Sequence, residues 1–177
     1  MTSTLRLSNV QQTMLVVLRT LVGWHFLYEG YTKVLYPAWS QDGVPLVPWS
    51  SAAYLKAATG PLATLFHWMG NAWWVGALDL FVAVALTAVG ISLILGVFTQ
   101  IGSGSAIVLL ATFYLAAVPT GTLDARAEGT YLLVNKNLIE ACAVGVLFAF
   151  RTGSIAGLDR LWMRSQSTRV DVQEAAV

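Results

Sequence analysis

The chain has 177 residues, of which 56% are hydrophobic and only 11% are charged, with a formal net charge of +1 and a mean hydropathy of +0.66. Soluble domains carry about 25% charged residues, so this composition indicates an integral membrane protein with a single membrane domain. The near-neutral charge, without a basic patch among aromatic residues, argues against nucleic-acid binding.

Redox groups held by the chain itself are not predicted. Cys142 is the one cysteine, which excludes a disulfide within these residues and a metal ion held by several thiolates. His25 and His67 lie in different segments, so a haem with two histidine ligands is not expected, and no glycine-rich nucleotide fingerprint follows a strand. We therefore expect no bound metal, haem or flavin.

The first apolar segment, residues 13–35, carries four ionisable side chains: Arg19, His25, Glu29 and Lys33. A bilayer crossing takes about 20 residues, and a charge at its centre costs about 3 kcal/mol. At 100° per residue the four side chains fall within about one third of the helix circumference, so they form one polar stripe. Because these charges interrupt the segment, we expect a retained membrane helix and not a cleaved signal peptide.

The connection over residues 36–71 is rich in tryptophan and proline. Its second half, residues 52–69, has helical composition, but Gly60 and Pro61 interrupt it and it is too polar for a membrane span. Tryptophan and tyrosine favour the depth of the lipid head groups. This half is therefore predicted to be an amphipathic or re-entrant segment that caps the bundle.

Three further apolar segments cover residues 73–95, 101–118 and 132–150. A tight turn at residues 96–102 is expected to join the first two of them. The sequence thus predicts an all-α integral membrane four-helix bundle within residues 1–151, followed by a cytoplasmic tail over residues 152–177.

Basic residues near the segment ends predict the orientation of this bundle. They precede the first segment or follow the fourth: Arg6, Arg151, Arg160, Arg164 and Arg169. The loops on the other side carry few, chiefly Lys56 and Arg126. The positive-inside rule then places both termini of this multi-pass membrane protein in the cytoplasm.

With that orientation, polar side chains of three segments lie at similar depth in the outer half of the bilayer. They are Glu29 and Lys33 in the first segment, Asp79 in the second, and Lys136, Asn137 and Glu140 in the fourth. Two pairs four residues apart, Glu29–Lys33 and Lys136–Glu140, can each form a contact within one helix. Asp79 has no opposite charge in its own helix, so Lys33 or Lys136 is its expected partner.

Two interpretations of this polar cluster remain open. One is a set of interhelical ion pairs that only fixes the packing. The other is a pocket for a polar head group, because ionisable residues inside a membrane are functional candidates by default. In such a pocket His25 would handle protons, since histidine titrates near neutral pH, with Glu29 one turn away as its relay partner.

Two arginines, Arg19 and Arg151, lie in the half of the bilayer nearer the cytoplasm. Both are predicted to have a structural pairing role. Arg19 lies deep in the first segment and is expected to pair or to bond backbone carbonyls. Arg151, at the end of the fourth segment, is expected to extend toward the cytoplasmic head groups. The glycines Gly23, Gly30, Gly76, Gly90 and Gly145 are expected to permit close helix packing.

Four stretches of the chain resemble the DoxX family of membrane proteins. They are LRTLVGWHFLYEGYTKVLYPAWS (residues 18–40), AAYLKAATGPLATLF (52–66), GISLILGVFTQIG (90–102) and EGTYLLVNKNLIE (128–140). Their order and spacing agree with the family over about residues 18–150. The nearer likeness is to DoxD, the membrane subunit of thiosulfate:quinone oxidoreductase.

The resemblance implies a membrane subunit that passes electrons to quinone, with thiosulfate as the candidate donor. The expected partners are the lipid bilayer, quinone, a small partner subunit or soluble redox protein, and a second copy of the chain. The expected catalytic residues are His25, Glu29, Asp79 and Glu140. The expected quinone-binding residues are Lys33, Lys136, Asn137 and Tyr28.

Two other functions are kept as alternatives. A non-enzymatic scaffold could recruit soluble redox proteins through its tail, where Ile155, Leu158, Leu161 and Trp162 could share one face of an amphipathic helix. A small-solute carrier is the weaker alternative, because four spans without inverted repeats would need a dimer to complete the transport path.

Overall fold

The computed structural model describes residues 7–35, 40–41, 44–45, 49–118, 130–131 and 133–159. Within these residues the protein is mostly helical, which confirms the all-α prediction. Several residues used to predict the orientation and the tail helix lie outside this part: Arg6, Arg126, Arg160, Leu161, Trp162, Arg164 and Arg169.

Seven helices are found in the described residues. They are α1 (Asn9–Leu35), α2 (Ser51–Lys56), α3 (Ala63–Gly70), α4 (Val75–Leu95), α5 (Thr99–Ala116), α6 (Lys136–Ala149) and α7 (Thr152–Ile155). Two minimal antiparallel pairs of strands accompany them: β1 (Ser40–Gln41) with β2 (Val44–Pro45), and β3 (Thr130–Tyr131) with β4 (Val134–Asn135).

The four longest helices form a closed ring. α1 packs along α4, α4 against α5, and α5 against α6, while a smaller α1–α6 contact closes the ring. The core between them is formed by apolar side chains from all four helices, among them Phe26, Leu93, Leu110 and Val144. The ring therefore encloses a core of the kind expected for a helix bundle.

Two of these helices, α4 and α5, are long and apolar enough to cross a membrane. α4 has 21 residues with a mean hydropathy of 2.4, and α5 has 18 residues with a mean hydropathy of 1.3. Length and composition are the basis of this assignment. α6 has only 14 residues, and Arg19, His25 and Glu29 make α1 less apolar than α4.

The turn between α4 and α5 is set by its backbone conformation. Gly96 has a φ of 69° and donates its N–H to the Ser92 carbonyl, which ends α4 in the left-handed conformation that glycine favours. Phe98, with a φ of 49°, then starts α5. The tight turn predicted at residues 96–102 is thus found at residues 96–98, because α5 begins earlier than the apolar pattern indicates.

Glycines hold α1 and α4 at close range. A methyl group on Gly90 would overlap the main chain of Leu27, and one on Gly23 would lie 2.9 Å from Ile94 Cγ1. A methyl group on Gly30 would likewise overlap the main chain of Thr87. The predicted close packing is found at these three glycines, and it is typical of small residues between membrane helices.

The same prediction is wrong for Gly76 and Gly145. A methyl group built on either would meet no atom of the described residues within 4 Å. The reason is that Gly76 lies in the first turn of α4 and Gly145 on a side of α6 that no other described helix approaches so closely.

Helices α2 and α3 cap one end of the ring, with the break between them at the predicted Gly60–Pro61 position. Leu55 and Phe66 from this cap pack on Ala116 at the end of α5. Thr59 N–H donates to the Ala116 carbonyl at 3.2 Å. The cap is therefore bound to the bundle by apolar and main-chain contacts together.

Candidate functional site

A cavity of about 440 Å³ lies inside the ring beneath this cap. Its walls come from α1, α2, α3, α4, α5 and α6. Much of its wall is apolar and is formed by side chains such as Phe26, Leu55, Val82, Leu110 and Phe113. A concave, mostly apolar pocket with a few polar groups is the usual form of a small-molecule site.

The polar wall of the cavity combines residues of the first and fourth predicted segments. It contains His25, Glu29, Lys33, Asn135, Lys136, Asn137 and Glu140. Six of these seven were nominated from sequence, and the structure brings them together in one wall. Asn135 was not nominated for the site; it is buried and its side chain accepts the N–H of Leu138, which caps the start of α6.

Two charge pairs are found among the described residues, and both lie in this wall. Lys33 Nζ is 2.5 Å from Glu29 Oε2 within α1, as the spacing of four predicts. His25 Nδ1 is 3.7 Å from Glu140 Oε1, which joins α1 to α6. Glu29 is thus hydrogen-bonded to Lys33, and the carboxylate in ion-pair range of His25 is Glu140 on the other helix. The expected His25–Glu29 relay stays a prediction.

The two lysines of the wall differ in their surroundings. Lys33 Nζ also lies 5.0 Å from the ring centroid of Trp49, a cation–π distance. Lys136 is exposed and acts on Glu29 and Glu140 through its charge at longer range. The predicted close Lys136–Glu140 pair is thus absent from the ion pairs of the described residues.

Asp79 does not line the cavity. Its carboxylate accepts two hydrogen bonds from Ser51, one from the N–H at 2.7 Å and one from the hydroxyl. The expected pairing of Asp79 with Lys33 or Lys136 is therefore wrong, because its carboxylate instead holds the start of α2, where main-chain donors have no helical partner. Asp79 thus positions the cap over the cavity.

Tyr28 also lies outside the cavity, since it is 57% exposed on the outer face of α1. Residues 28 and 29 are 100° apart on a helix, so Tyr28 cannot share the inward direction of Glu29. The tyrosine that does line the cavity is Tyr54 on α2, which donates its hydroxyl to the Phe113 carbonyl at 3.0 Å. Burial raises the pKa of Tyr54.

The opposite end of the ring is closed by Arg19. Its side chain is only 3% exposed and donates to the carbonyls of Thr152 at 2.9 Å and Ala156 at 2.5 Å. The prediction that Arg19 bonds backbone carbonyls is confirmed. Asp159 was not predicted; it accepts from Phe98 N–H and from the Thr99 N–H and hydroxyl.

Arg151 has a different part in this closure. Its side chain is exposed, and no ion pair of Arg151 is found among the described residues. The expected extension of Arg151 toward the cytoplasmic head groups stays a prediction. Its backbone is left-handed, with a φ of 46°, and this conformation separates α6 from α7.

The predicted amphipathic helix of the tail is also wrong in its first half. α7 ends at Ile155, and Ala156 is extended with a φ of −151°. Ile155 and Leu158 therefore do not belong to one continuous helix. The carbonyls of Thr152 and Ala156 point to Arg19, so this stretch is held on the bundle by hydrogen bonds.

Two side chains considered for redox chemistry lie elsewhere. His67 is exposed on α3, and its Nε2 is 2.9 Å from the Ala58 carbonyl, so it does not meet His25 in the cavity. Cys142 is exposed on α6 and not a buried core residue. No group of three or more potential metal ligands occurs among the described residues.

Comparisons with protein families, with curated proteins and with solved structures found no match to this chain.

Proposed function

We propose that the chain is a multi-pass membrane subunit of DoxX/DoxD type that passes electrons to quinone in the cell membrane. The observation that carries this proposal is the cavity itself, which joins a charged wall to an apolar interior. A quinone has the matching form, with a polar head group on an apolar body. The cavity volume of about 440 Å³ lies in the usual range for small-molecule sites.

In this proposal α1 and α6 join α4 and α5 as membrane helices. The outer face of α1 supports this, because large apolar side chains are exposed at alternating intervals of four and three: Val10, Met14, Val17, Leu21, Trp24, Tyr28 and Tyr31. A long exposed apolar stripe is unfavourable in water and indicates contact with lipid or another membrane helix. Both termini then face the cytoplasm, and the cavity lies in the outer half of the bilayer.

The reaction proposed is the oxidation of two thiosulfate ions to tetrathionate with reduction of one quinone. Two electrons leave the sulfur donors, one S–S bond forms, and the quinone gains two electrons and two protons. The described residues supply the head-group contacts and the protons. Lys33 and Lys136 would favour negative charge that develops on the quinone oxygens.

The proposal is tested first by binding and then by turnover. The purified protein in lipid nanodiscs is titrated with decylubiquinone while its tryptophan fluorescence is followed. We expect saturable quenching, because Trp49 lines the cavity. Val82→Phe fills the apolar wall and should weaken binding at least about tenfold, since each 1.4 kcal/mol is a factor of ten.

Val84→Phe is the matched control, because Val84 is exposed on the same helix and its substitution should leave binding unchanged. Thiosulfate is then added to the quinone-saturated protein. Reduction of quinone would support a catalytic subunit. Saturable binding without reduction would point to a missing partner, and the lack of any specific binding in a folded sample would contradict the proposal. The scaffold alternative predicts that loss of residues 160–177, and not filling of the cavity, abolishes complex formation.

A further inference from the structure

We propose that His25 and Glu140 are the proton-transfer pair of the cavity, and that Glu29 is not. The inference rests on the proposed quinone site and assigns separate roles to its two carboxylates. Its basis is that His25 Nδ1 and Glu140 Oε1 approach to 3.7 Å across the contact between α1 and α6. Hydrogen-bond distance, about 2.7–3.2 Å, is then reached by a side-chain movement of less than about 1 Å.

The exposures of the two side chains suit a relay. The His25 side chain is 45% exposed while that of Glu140 is 14% exposed, and both line the cavity. His25 is therefore the more accessible member of the pair, and Glu140 is the more buried one. A proton that enters at His25 can pass inward to Glu140.

The other carboxylate is held by a close cation. Glu29 Oε2 lies 2.5 Å from Lys33 Nζ, which is itself placed over the ring of Trp49. An ammonium group in direct hydrogen-bond contact keeps a carboxylate ionised and fixed in position. Glu29 and Lys33 thus form a neutral pair that orients the head group, which makes Glu29 a positioning residue.

The other ionisable groups near the pair lie on α1, α2, α4 and α6. Lys136 acts on Glu140 through its charge from the start of α6, and Glu29 opposes it from α1. On α2, Tyr54 donates to the Phe113 carbonyl, and on α4 Asp79 is bonded to Ser51. The lining residues of α5 carry no ionisable group. His25 is therefore the titratable partner within ion-pair range of Glu140 among the described residues.

The proton steps balance with the two-electron reduction. The O–H bond of protonated Glu140 breaks as an O–H bond forms on a quinone oxygen. The His25 imidazolium then returns a proton from Nδ1 to the Glu140 carboxylate and takes up another proton from water. A second passage delivers the second proton, and the two electrons come from the sulfur-oxyanion donor of the proposed reaction.

Electrochemically induced infrared difference spectroscopy tests this assignment without a biological donor. The nanodisc-embedded protein is loaded with decylubiquinone, and the quinone is reduced and reoxidised at an electrode. We expect quinone bands together with a C=O stretching band of a carboxylic acid, and that band should shift when glutamate is labelled with ¹³C in its side-chain carboxyl. It should be lost in Glu140→Gln and kept in Glu29→Gln.

Two further variants keep the assignment testable if Glu140→Gln does not fold. Glu140→Asp should keep a carboxylic-acid band that no longer responds to the glutamate label. His25→Gln should keep the quinone bands but slow the return of the carboxyl band after each potential step by about 100-fold, the lower size of a general acid–base contribution.

The outcomes separate the inference from the proposed function. Quinone bands with a carboxyl band that disappears in Glu29→Gln but persists in Glu140→Gln would overturn the proton pair and leave the quinone site standing. The same holds if a wild-type sample with quinone bands has no glutamate carboxyl band. A folded sample without specific quinone bands would overturn both.

Discussion

At the scale of single residues, Arg19 is a buried charged side chain that holds the chain after α6 on the bundle. It is 3% exposed, and its guanidinium donates to the Thr152 and Ala156 carbonyls. Removal of a charged donor leaves those carbonyls without their partner, which costs about 1.5–3 kcal/mol. We expect Arg19→Met to lower the free energy of unfolding by that amount, measured by SDS titration of the purified protein in mixed micelles.

Arg151→Met is the matched control for Arg19→Met. Arg151 is exposed, and surface substitutions away from special features change stability by less than about 0.5 kcal/mol. Equal effects of the two substitutions would show that the buried arginine is not held by its carbonyl contacts.

Asp159 predicts a pH dependence at the same end of the bundle. Burial alone would raise the pKa of Asp159, but hydrogen bonds from Thr99 and Phe98 and the charge of Arg19 outweigh it and hold the pKa below its usual value. A carboxyl whose pKa is lower in the folded state stabilises the fold above the unfolded-state pKa of about 3.9. That stabilisation is lost as the pH falls from there through the folded-state pKa.

The variant Asp159→Asn removes this titration. We expect the wild-type free energy of unfolding to fall more steeply below pH 4 than that of Asp159→Asn, because asparagine cannot lose a charge there. Unfolding curves collected from neutral to acid pH measure the difference. An equally steep fall in the free energy of unfolding of both proteins below pH 4 would contradict the role assigned to Asp159.

At the scale of helices, the contact between α1 and α4 depends on Gly90. A methyl group there would overlap the main chain of Leu27, which cannot move without the helix. Overpacking of this kind costs about 1–3 kcal/mol. We therefore expect Gly90→Ala to destabilise the bundle in the SDS titration, although alanine favours the helix more than glycine does.

Gly145→Ala should instead raise the free energy of unfolding. Its methyl group would meet no described atom within 4 Å, so the gain of about 0.5–1 kcal/mol from helix propensity remains. If both substitutions stabilised the protein, the close approach of α1 and α4 would not be the reason for glycine at position 90.

Whole-helix positions were largely predictable from sequence, and their ends were less so. The apolar patterns at residues 73–95 and 101–118 correspond to α4 (Val75–Leu95) and α5 (Thr99–Ala116). The ends differ because capping decides them locally: Gly96 ends α4, and the Asp159 carboxylate accepts N–H groups at the start of α5 from 60 residues away. A cap supplied by a residue far along the chain cannot be recognised from the local hydrophobic pattern.

At the scale of the whole molecule, the proposed orientation gives a direct prediction. The two chain ends should lie on the cytoplasmic side, because basic residues flank the first and last helices. We expect alkaline phosphatase fused after Val177 to be inactive in a bacterial host and green fluorescent protein fused there to be fluorescent. A phosphatase inserted in the segment 119–129 should be active.

The reverse pattern of reporter activity would show that the bundle has the opposite orientation in the membrane. It would place the cavity in the inner half of the bilayer and remove the basis for an outer-leaflet quinone site. The cavity and its proton pair would still be open to the infrared experiment, since that measurement does not depend on the side of the membrane.

The sequence by itself determined the helical class, the apolar segments and the residues of the charged wall. Hydrophobic periodicity and the cost of intramembrane charge act within one helix, so the Glu29–Lys33 contact could be anticipated from a spacing of four. Only the tertiary structure decided which charges meet across helices. It pairs His25 with Glu140, turns Asp79 to Ser51 and directs Tyr28 outward, because the rotation and depth of each helix are fixed by packing against its neighbours.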